Sequence, residues 1–145
     1  MQTLFVMLAG ASIGRGWGSL SQWLYVGAGV AGVPVFAGGA SGLGILGGPT
    51  GGYLISFLIA PFVIGTLLRR SERLGWQVLS FMAGNLVILT LGVAHLTLFY
   101  THDLGRAITV GVLPFLPGAA FKIVAAVSIY RSSSALLRYH RARQQ

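Results

Sequence analysis

A lysine within an apolar stretch is the residue of this sequence best suited to binding chemistry. Lys122 stands five residues after Pro117, between Phe121 and Ile123. A lysine inside a membrane span costs about 2.5–3.5 kcal/mol on insertion scales, so it is a functional candidate by default. Because Pro114 and Pro117 break the stretch, Lys122 is expected in the early turns of a helix, near free N–H groups that suit a carboxylate. The alternative is that its ammonium snorkels to lipid headgroups.

Four further residues are candidates for a ligand cavity. Thr50, Tyr53 and Phe36 offer one aliphatic hydroxyl and two aromatic rings, and simple packing is the alternative for each of them. Asn85 follows Gly84 within a long apolar stretch. An amide in that setting bonds a neighbouring helix more often than a ligand, so Asn85 is a candidate for either role.

The sequence lacks the arrangements of side chains that enzymes use for catalysis. Its two acidic residues, Glu72 and Asp103, lie far apart, and it has no cysteine. The three histidines are too scattered for a metal site: His95, His102 and His140. His95 is expected as a hydrogen-bonded packing residue. The run at 48–52, GPTGG, lacks the lysine of a phosphate-binding loop, so we interpret it as a tight turn. We predict neither an enzyme nor a cofactor or metal.

The candidates must be positioned around an unusual stretch, Gly32 to Leu54, in which nine of 23 residues are glycine. Glycine and proline disfavour a helix, yet the stretch is apolar and carries no charge. Irregular backbone at membrane depth is tolerated only where it packs in protein or lines a wet cavity. We therefore predict a loop that folds over a cavity. Its key positions are Gly38, Gly39, Gly48, Gly51 and Gly52.

Composition indicates a membrane protein. The chain is 54% hydrophobic and 8% charged, with a mean hydropathy of +0.79, whereas soluble domains carry about 25% charged residues. Its net charge of +8 could suggest nucleic acid. The basic residues instead lie at the ends of apolar runs, where they set topology and contact lipid headgroups. We predict a multi-pass protein of the cell membrane that binds no nucleic acid.

Five apolar runs predict an all-α bundle of about five transmembrane helices in one domain, residues 1–131. The runs are Met1–Ile13, Trp17–Ala31, Gly52–Leu68, Leu74–Tyr100 and Leu104–Tyr130. The first two are short, because a span needs about 20 residues. Pro61 should kink the third run, and Pro114 and Pro117 should interrupt the fifth. Residues 132–145 are expected as a basic tail in a frayed surface helix.

Charge predicts the orientation of the bundle. Alternating runs place Arg15, the arginines at 69–73 and those of the C-terminus on one side, and Arg106, near Asp103, on the other. The positive-inside rule makes the first side cytoplasmic, together with the C-terminus. The glycine-rich loop then faces outward, as an importer would require.

Several motifs resemble the BioY family, the biotin-binding S components of energy-coupling-factor (ECF) transporters. The most specific is GVPVFAGG followed by GLGILGGPTGGYL. Weaker ones, in the family's order, are QTLFVMLAGASIG, GSLSQWLYVGAGVAG, GNLVI and VLPFLPG…K. The resemblance covers nearly the whole chain. It implies that biotin is the ligand, that Lys122 contacts it, and that a transmembrane coupling subunit and two ATPases drive uptake, because this chain has no ATP motif.

Three positions depart from the family pattern. Ala119 stands where members carry an aspartate, which pairs with the lysine and helps to recognise the ureido ring of biotin. Leu89 replaces a frequent tyrosine, and His95 a frequent tryptophan. The family also has a helix before the QTL segment, which docks the coupling subunit. The resemblance therefore implies a truncated gene or a true start further upstream.

Three alternatives remain open at this point. The chain could be a family member that keeps the fold but neither binds nor transports. It could be a small membrane interaction protein whose glycine loop packs against a partner. It could also capture another small carboxylate vitamin, because Ala119 lacks the polar group with which family members recognise the ligand.

Overall fold

The computed structural model describes the backbone of residues 1–142 and the side chains of residues 1–134. Over that part, the regular structure is entirely helical. The helices are α1 (Gln2–Ser12), α2 (Arg15–Val30), α3 (Gly51–Leu68), α4 (Leu74–Leu96), α5 (Leu104–Gly111) and α6 (Leu116–Ala142). The glycine-rich stretch forms the irregular connection between α2 and α3, as predicted.

Three helical segments are long and apolar enough to cross a membrane: Gly51–Leu68, Leu74–Thr101 and Leu104–Ser134. The last of these contains α5 and the larger part of α6, which a 3₁₀ turn at Leu113–Phe115 separates. α1 and α2 are shorter, with 11 and 16 residues. The five segments form the all-α membrane bundle that the sequence predicted.

Local sequence explains where the helices begin. The carboxylate of Asp103 accepts a hydrogen bond from the backbone N–H of Arg106 at 3.1 Å and so caps the start of α5. Pro114 lies in the 3₁₀ turn and Pro117 in the first turn of α6, where a missing N–H costs nothing. The two prolines thus interrupt the fifth run as expected.

Glycines allow α1, α2 and α3 to approach closely. Gly10 lies directly against the backbone of Pro61. A Cβ built on Gly18 would stand 2.7 Å from the carbonyl oxygen of Ala9, and one on Gly65 would stand 2.6 Å from the backbone nitrogen of Arg15. Small residues at such contacts are what hold membrane helices together.

The buried side chains form two main layers. One layer lies beneath the glycine-rich connection and contains Val6, Phe36, Phe57 and Ile88. The other lies towards the opposite end of the bundle and contains Met7, Ile64, Phe81 and Val127. Large apolar residues such as Phe62, Leu86 and Phe121 stay exposed on the outside, where a bilayer would cover them.

Two boundaries differ from the sequence prediction. α4 ends at Leu96 and continues as a π-helical turn, Thr97–Thr101, before His102 adopts a left-handed conformation with φ 50°. α6 runs without a break across residues 131 and 132, where the transmembrane domain was expected to end and the tail to begin, to Ala142. Residues 143–145 of the predicted tail lie outside the described residues.

Candidate functional site

A cavity of about 530 Å³ lies between the glycine-rich connection and the helices. Its walls come from the start of α1, the connection, the first turns of α3, the middle of α4 and the beginning of α6. The lining is mostly apolar, with a few polar side chains. A cavity of this size and character suits a small organic ligand.

All five side chains proposed from the sequence as ligand contacts line this cavity: Lys122, Asn85, Thr50, Tyr53 and Phe36. Gly48 lines it as well. Gly38 and Gly39 lie in the exposed outer turn of the connection, with φ 73° and 74°, a conformation that glycine adopts without strain.

Gly51 and Gly52 were expected in the loop, and Gly52 was also expected to begin the third apolar run. Both lie in the first turn of α3, where they are buried. Their role is close packing. A Cβ on Gly52 would stand 2.5 Å from the carbonyl oxygen of Leu91, and one on Gly51 would stand 3.1 Å from Nε2 of His95. The absence of side chains lets the start of α3 contact the end of α4.

Lys122 is partly buried in the second turn of α6, so the helix start lies close to its side chain. Within the described part of the chain, neither its ammonium nor the amide of Asn85 has a hydrogen-bond or ionic partner. Both groups border the same cavity. A buried charge or amide without a partner is costly, so both are available to a ligand.

Two of the three departures from the family pattern border the cavity. Ala119 is buried, lines the cavity and lies one turn before Lys122 on α6, so the two residues share a helix face. Leu89 lines the cavity from α4. The wall is therefore more apolar here than the family pattern implies.

The ring of Tyr53 is fixed between several elements. Its hydroxyl donates to the carbonyl oxygen of Gly111 at 2.7 Å. The ring lies against Gly92 of α4, and its centroid is 6.1 Å from that of Phe115. Since the backbone engages its hydroxyl, Tyr53 presents an aromatic surface to the cavity.

The first half of the glycine-rich connection is anchored by Tyr25. The Tyr25 hydroxyl donates to the carbonyl oxygen of Val35 at 2.8 Å and accepts from Nε2 of Gln2 at 2.5 Å. Its ring meets that of Phe36 edge to face, with centroids 5.8 Å apart. Phe36 is 5% exposed, so it is both a core residue and part of the cavity wall.

The second half of the connection is held by the end of α4 and by the π-helical turn that follows it. His95 Nε2 donates to the carbonyl oxygen of Gly48 at 3.1 Å. The hydroxyl of Tyr100 donates to the carbonyl oxygen of Gly47. The expectation that His95 is a hydrogen-bonded packing residue agrees with this arrangement. Tyr25, Gln2 and Tyr100 were missed, because no local sequence signal links a side chain to a carbonyl many residues away.

Five of the six arginines with described side chains lie at the end of the bundle away from the cavity, and the exception is Arg106 in α5. The guanidinium of Arg15 lies 5.6 Å from the centroid of Phe62, near the C-terminal half of α3. Arg131 donates to Oε1 of Gln77 at 3.3 Å, next to the start of α4 and the connection that carries Arg69, Arg70 and Arg73. Among the described residues, Arg15, Arg131 and the arginines at 69–73 thus lie at the end of the bundle where the sequence predicted them.

The cavity, the loop and the helix order together match one group of known proteins. The family model for BioY matches residues 1–139. This chain belongs to the BioY family. The resemblance seen in the glycine-rich motifs is thereby confirmed.

Related BioY proteins are similar over most of their length. A biotin transporter BioY of Thermotoga maritima is 42% identical over 129 residues, covering 89% of this chain and 76% of the relative. A biotin transporter BioY of Rhodobacter capsulatus is 35% identical over 156 residues, with coverage of 95% and 82%. These relatives are named as transporters, which agrees with the prediction from the sequence that the chain is not an enzyme.

The fold also matches a solved structure. A crystal structure at 2.1 Å of the S-component for biotin from an ECF-type ABC transporter superposes with a TM-score of 0.84. The match covers 100% of this chain and 75% of the solved chain, at 27% identity. The helical BioY arrangement is therefore that of an S component.

Proposed function

We propose that this BioY chain is the biotin-binding S component of an ECF transporter. The observation that carries the proposal is the ammonium of Lys122, which has no partner among the described residues and lies at the wall of a mostly apolar cavity of about 530 Å³. Biotin has a carboxylate on an apolar chain and a bicyclic body with a polar ureido group. Relatives named as biotin transporters and the S-component structure support this choice.

Lys122 holds the carboxylate of biotin in this proposal. A charge-assisted hydrogen bond in a sheltered site is about twice as strong as a neutral one. The positive end of the α6 dipole adds positive potential nearby. The rings of Tyr53 and Phe36 cover the apolar part of the ligand, and binding removes their surfaces from water.

Asn85 binds the ureido group in this proposal, a role that the resemblance gives to the aspartate of other family members. A ureido group has two N–H donors and a carbonyl acceptor, and an amide side chain can satisfy either kind. Asn85 borders the cavity with its amide unpaired among the described residues, whereas the side chain of Ala119 has no polar atom. The hydroxyl of Thr50, at the loop side of the cavity, is a further polar contact.

The glycine-rich connection faces the outside of the cell, and the C-terminus lies in the cytoplasm. The grouped arginines at the opposite end support this orientation through the positive-inside rule. Biotin enters from outside, and the connection closes over it. A transmembrane coupling subunit and two ATPases supply the energy for uptake, because the sequence contains no ATP-binding motif.

A biotin titration of the purified protein in lipid nanodiscs tests the proposal. Saturable binding is expected, with a large loss in Lys122→Ala. Charge-assisted hydrogen bonds are worth about 1.5–3 kcal/mol, or about 10- to 150-fold in affinity. A wild-type protein that binds no biotin contradicts the proposal.

A second ligand class is favoured by one observation. Ala119 gives the cavity an apolar wall where the family pattern has a carboxylate. A carboxylate vitamin with an apolar ring, such as lipoate, would then fit better than biotin. Competition between lipoate and biotin on the same protein separates the two, since tighter binding of lipoate would favour the second class.

A further inference from the structure

We infer that His95 and Tyr100 form a clasp that keeps the ligand cavity closed and sets how long the ligand stays. This inference rests on the proposed function, because it concerns release from the same cavity. The clasp joins the end of α4 to residues 47–50, the last turn of the glycine-rich connection. No motif in the sequence pairs these segments.

The turn at residues 47–50 forms part of the cavity wall. Gly48, Pro49 and Thr50 all line the cavity. The turn is irregular, and among the described residues the carbonyl oxygen of Gly47 accepts no backbone hydrogen bond. The hydroxyl of Tyr100 satisfies that oxygen, so its loss would leave a backbone acceptor without a protein partner.

His95 makes the neighbouring contact. The carbonyl oxygen of Gly48 already accepts from the backbone N–H of Gly51 at 2.9 Å, and His95 Nε2 donates to its second lone pair at 3.1 Å. Since the acceptor is a carbonyl, the proton of the imidazole lies on Nε2. The side chain is partly buried against the start of α3.

The π-helical turn is what brings both side chains to the loop. In an α-helix, residue i+5 points about 140° away from residue i, because 3.6 residues make a turn. A π turn bonds residues five apart and moves residue i+5 back towards residue i. The ring centroids of His95 and Tyr100 are accordingly 6.3 Å apart, with Phe99 at 4.7 Å from His95.

The two halves of the connection are therefore held independently. Tyr25 and Gln2 hold Val35 on the α2 side, whereas His95 and Tyr100 hold residues 47 and 48 on the α4 side. The exposed middle carries three glycines with left-handed φ: Gly38, Gly39 and Gly42. Breaking the clasp would free the second half while the first half stays in place.

Hydrogen–deuterium exchange of the ligand-free protein tests the clasp directly. In Tyr100→Phe, amides of residues 43–50 should exchange faster, and those of residues 33–36 should not change. Tyr25→Phe should give the reverse pattern. Tyr130→Phe serves as the matched control, because Tyr130 packs its ring on Phe81 at the far end of the bundle. Unchanged exchange of residues 43–50 in Tyr100→Phe would overturn the clasp.

The role in retention is tested by chasing bound biotin with excess unlabelled biotin. Tyr100→Phe and His95→Phe should each raise the dissociation rate about 2- to 10-fold, the factor that one lost hydrogen bond represents, with little change in association. His95→Gln, which keeps a donor near the position of Nε2, should restore slow release. Unchanged dissociation in both phenylalanine variants overturns the role in retention.

These two readouts separate the clasp from the proposed function. If the wild-type protein binds no biotin, the proposed function fails, and hydrogen–deuterium exchange still decides whether the clasp exists. If biotin binds and the exchange pattern is unchanged, the clasp fails and the proposed function stands. If His95→Gln releases biotin as fast as His95→Phe, the hydrogen bond of His95 is not what retains the ligand.

Discussion

Ala119 is the residue whose substitution should say most about ligand recognition. It is 7% exposed, lines the cavity and shares a helix face with Lys122. A carboxylate there would lie beside an ammonium that has no partner among the described residues. An opposite charge nearby offsets much of the free-energy cost of desolvating both groups. The position can therefore accept an acidic side chain.

Ala119→Asp should raise the affinity for biotin about tenfold, or about 1.4 kcal/mol. The added carboxylate can accept hydrogen bonds from the N–H groups of the ureido ring. Isothermal titration in nanodiscs measures the effect. Ala119→Asn, which adds a polar group of similar size without charge, is the matched control and should gain less. No gain with aspartate would show that the surrounding pocket has changed.

Two glycines on the helices differ in how closely other elements pack against them. Gly92 on α4 has the ring of Tyr53 against it, and this contact carries the hydrogen bond from Tyr53 to Gly111 at the end of α5. Gly27 on α2 has nothing within 4 Å of the place where a Cβ would stand. Close packing therefore requires a glycine at position 92, whereas position 27 has room for a side chain.

Gly92→Ala should destabilise the bundle by about 1–3 kcal/mol, the usual cost of forcing an extra methyl into a packed contact. Gly27→Ala should be neutral or stabilising by up to about 1 kcal/mol, because alanine is the better helix former. Thermal unfolding in detergent compares the two variants. Equal melting temperatures would contradict the close packing of Tyr53 on α4.

The sequence predicted the elements better than their contacts. Apolar runs located the helices, and Pro114 and Pro117 located the break between α5 and α6, because hydrophobicity and proline act locally. The sequence did not show that Gly51 belongs to α3, since a glycine gives the same signal in a loop and in a tight helix contact. The link between Tyr100 and Gly47 spans 53 residues and arises only from tertiary packing.

In the molecule as a whole, the described arginines other than Arg106 lie at the end opposite the cavity. Arg15 and Arg131 mark one end, and the glycine-rich connection closes the other. This polarity is what an importer needs, since the ligand must enter from one side and energy is supplied from the other. The candidate ligand contacts Lys122 and Asn85 lie between the ends, where a lipid-facing position would be costly.

Single cysteines should report this orientation in intact cells, because the chain has no native cysteine. Ser41→Cys, in the exposed connection, should react with a membrane-impermeant maleimide from outside. Ser132→Cys, exposed on α6, should react only after the cells are permeabilised. Labelling of Ser132→Cys in intact cells would contradict the proposed cytoplasmic C-terminus.

The contact between Lys122 and the carboxylate of biotin is tested by a binding cycle with two ligands and two proteins. Biotin and its methyl ester are titrated against the wild type and Lys122→Met, a variant that removes the charge and keeps an unbranched side chain. We predict that methionine weakens biotin binding at least about tenfold, or about 1.4 kcal/mol, and leaves ester binding nearly unchanged. Equal losses for both ligands would contradict a carboxylate held by Lys122.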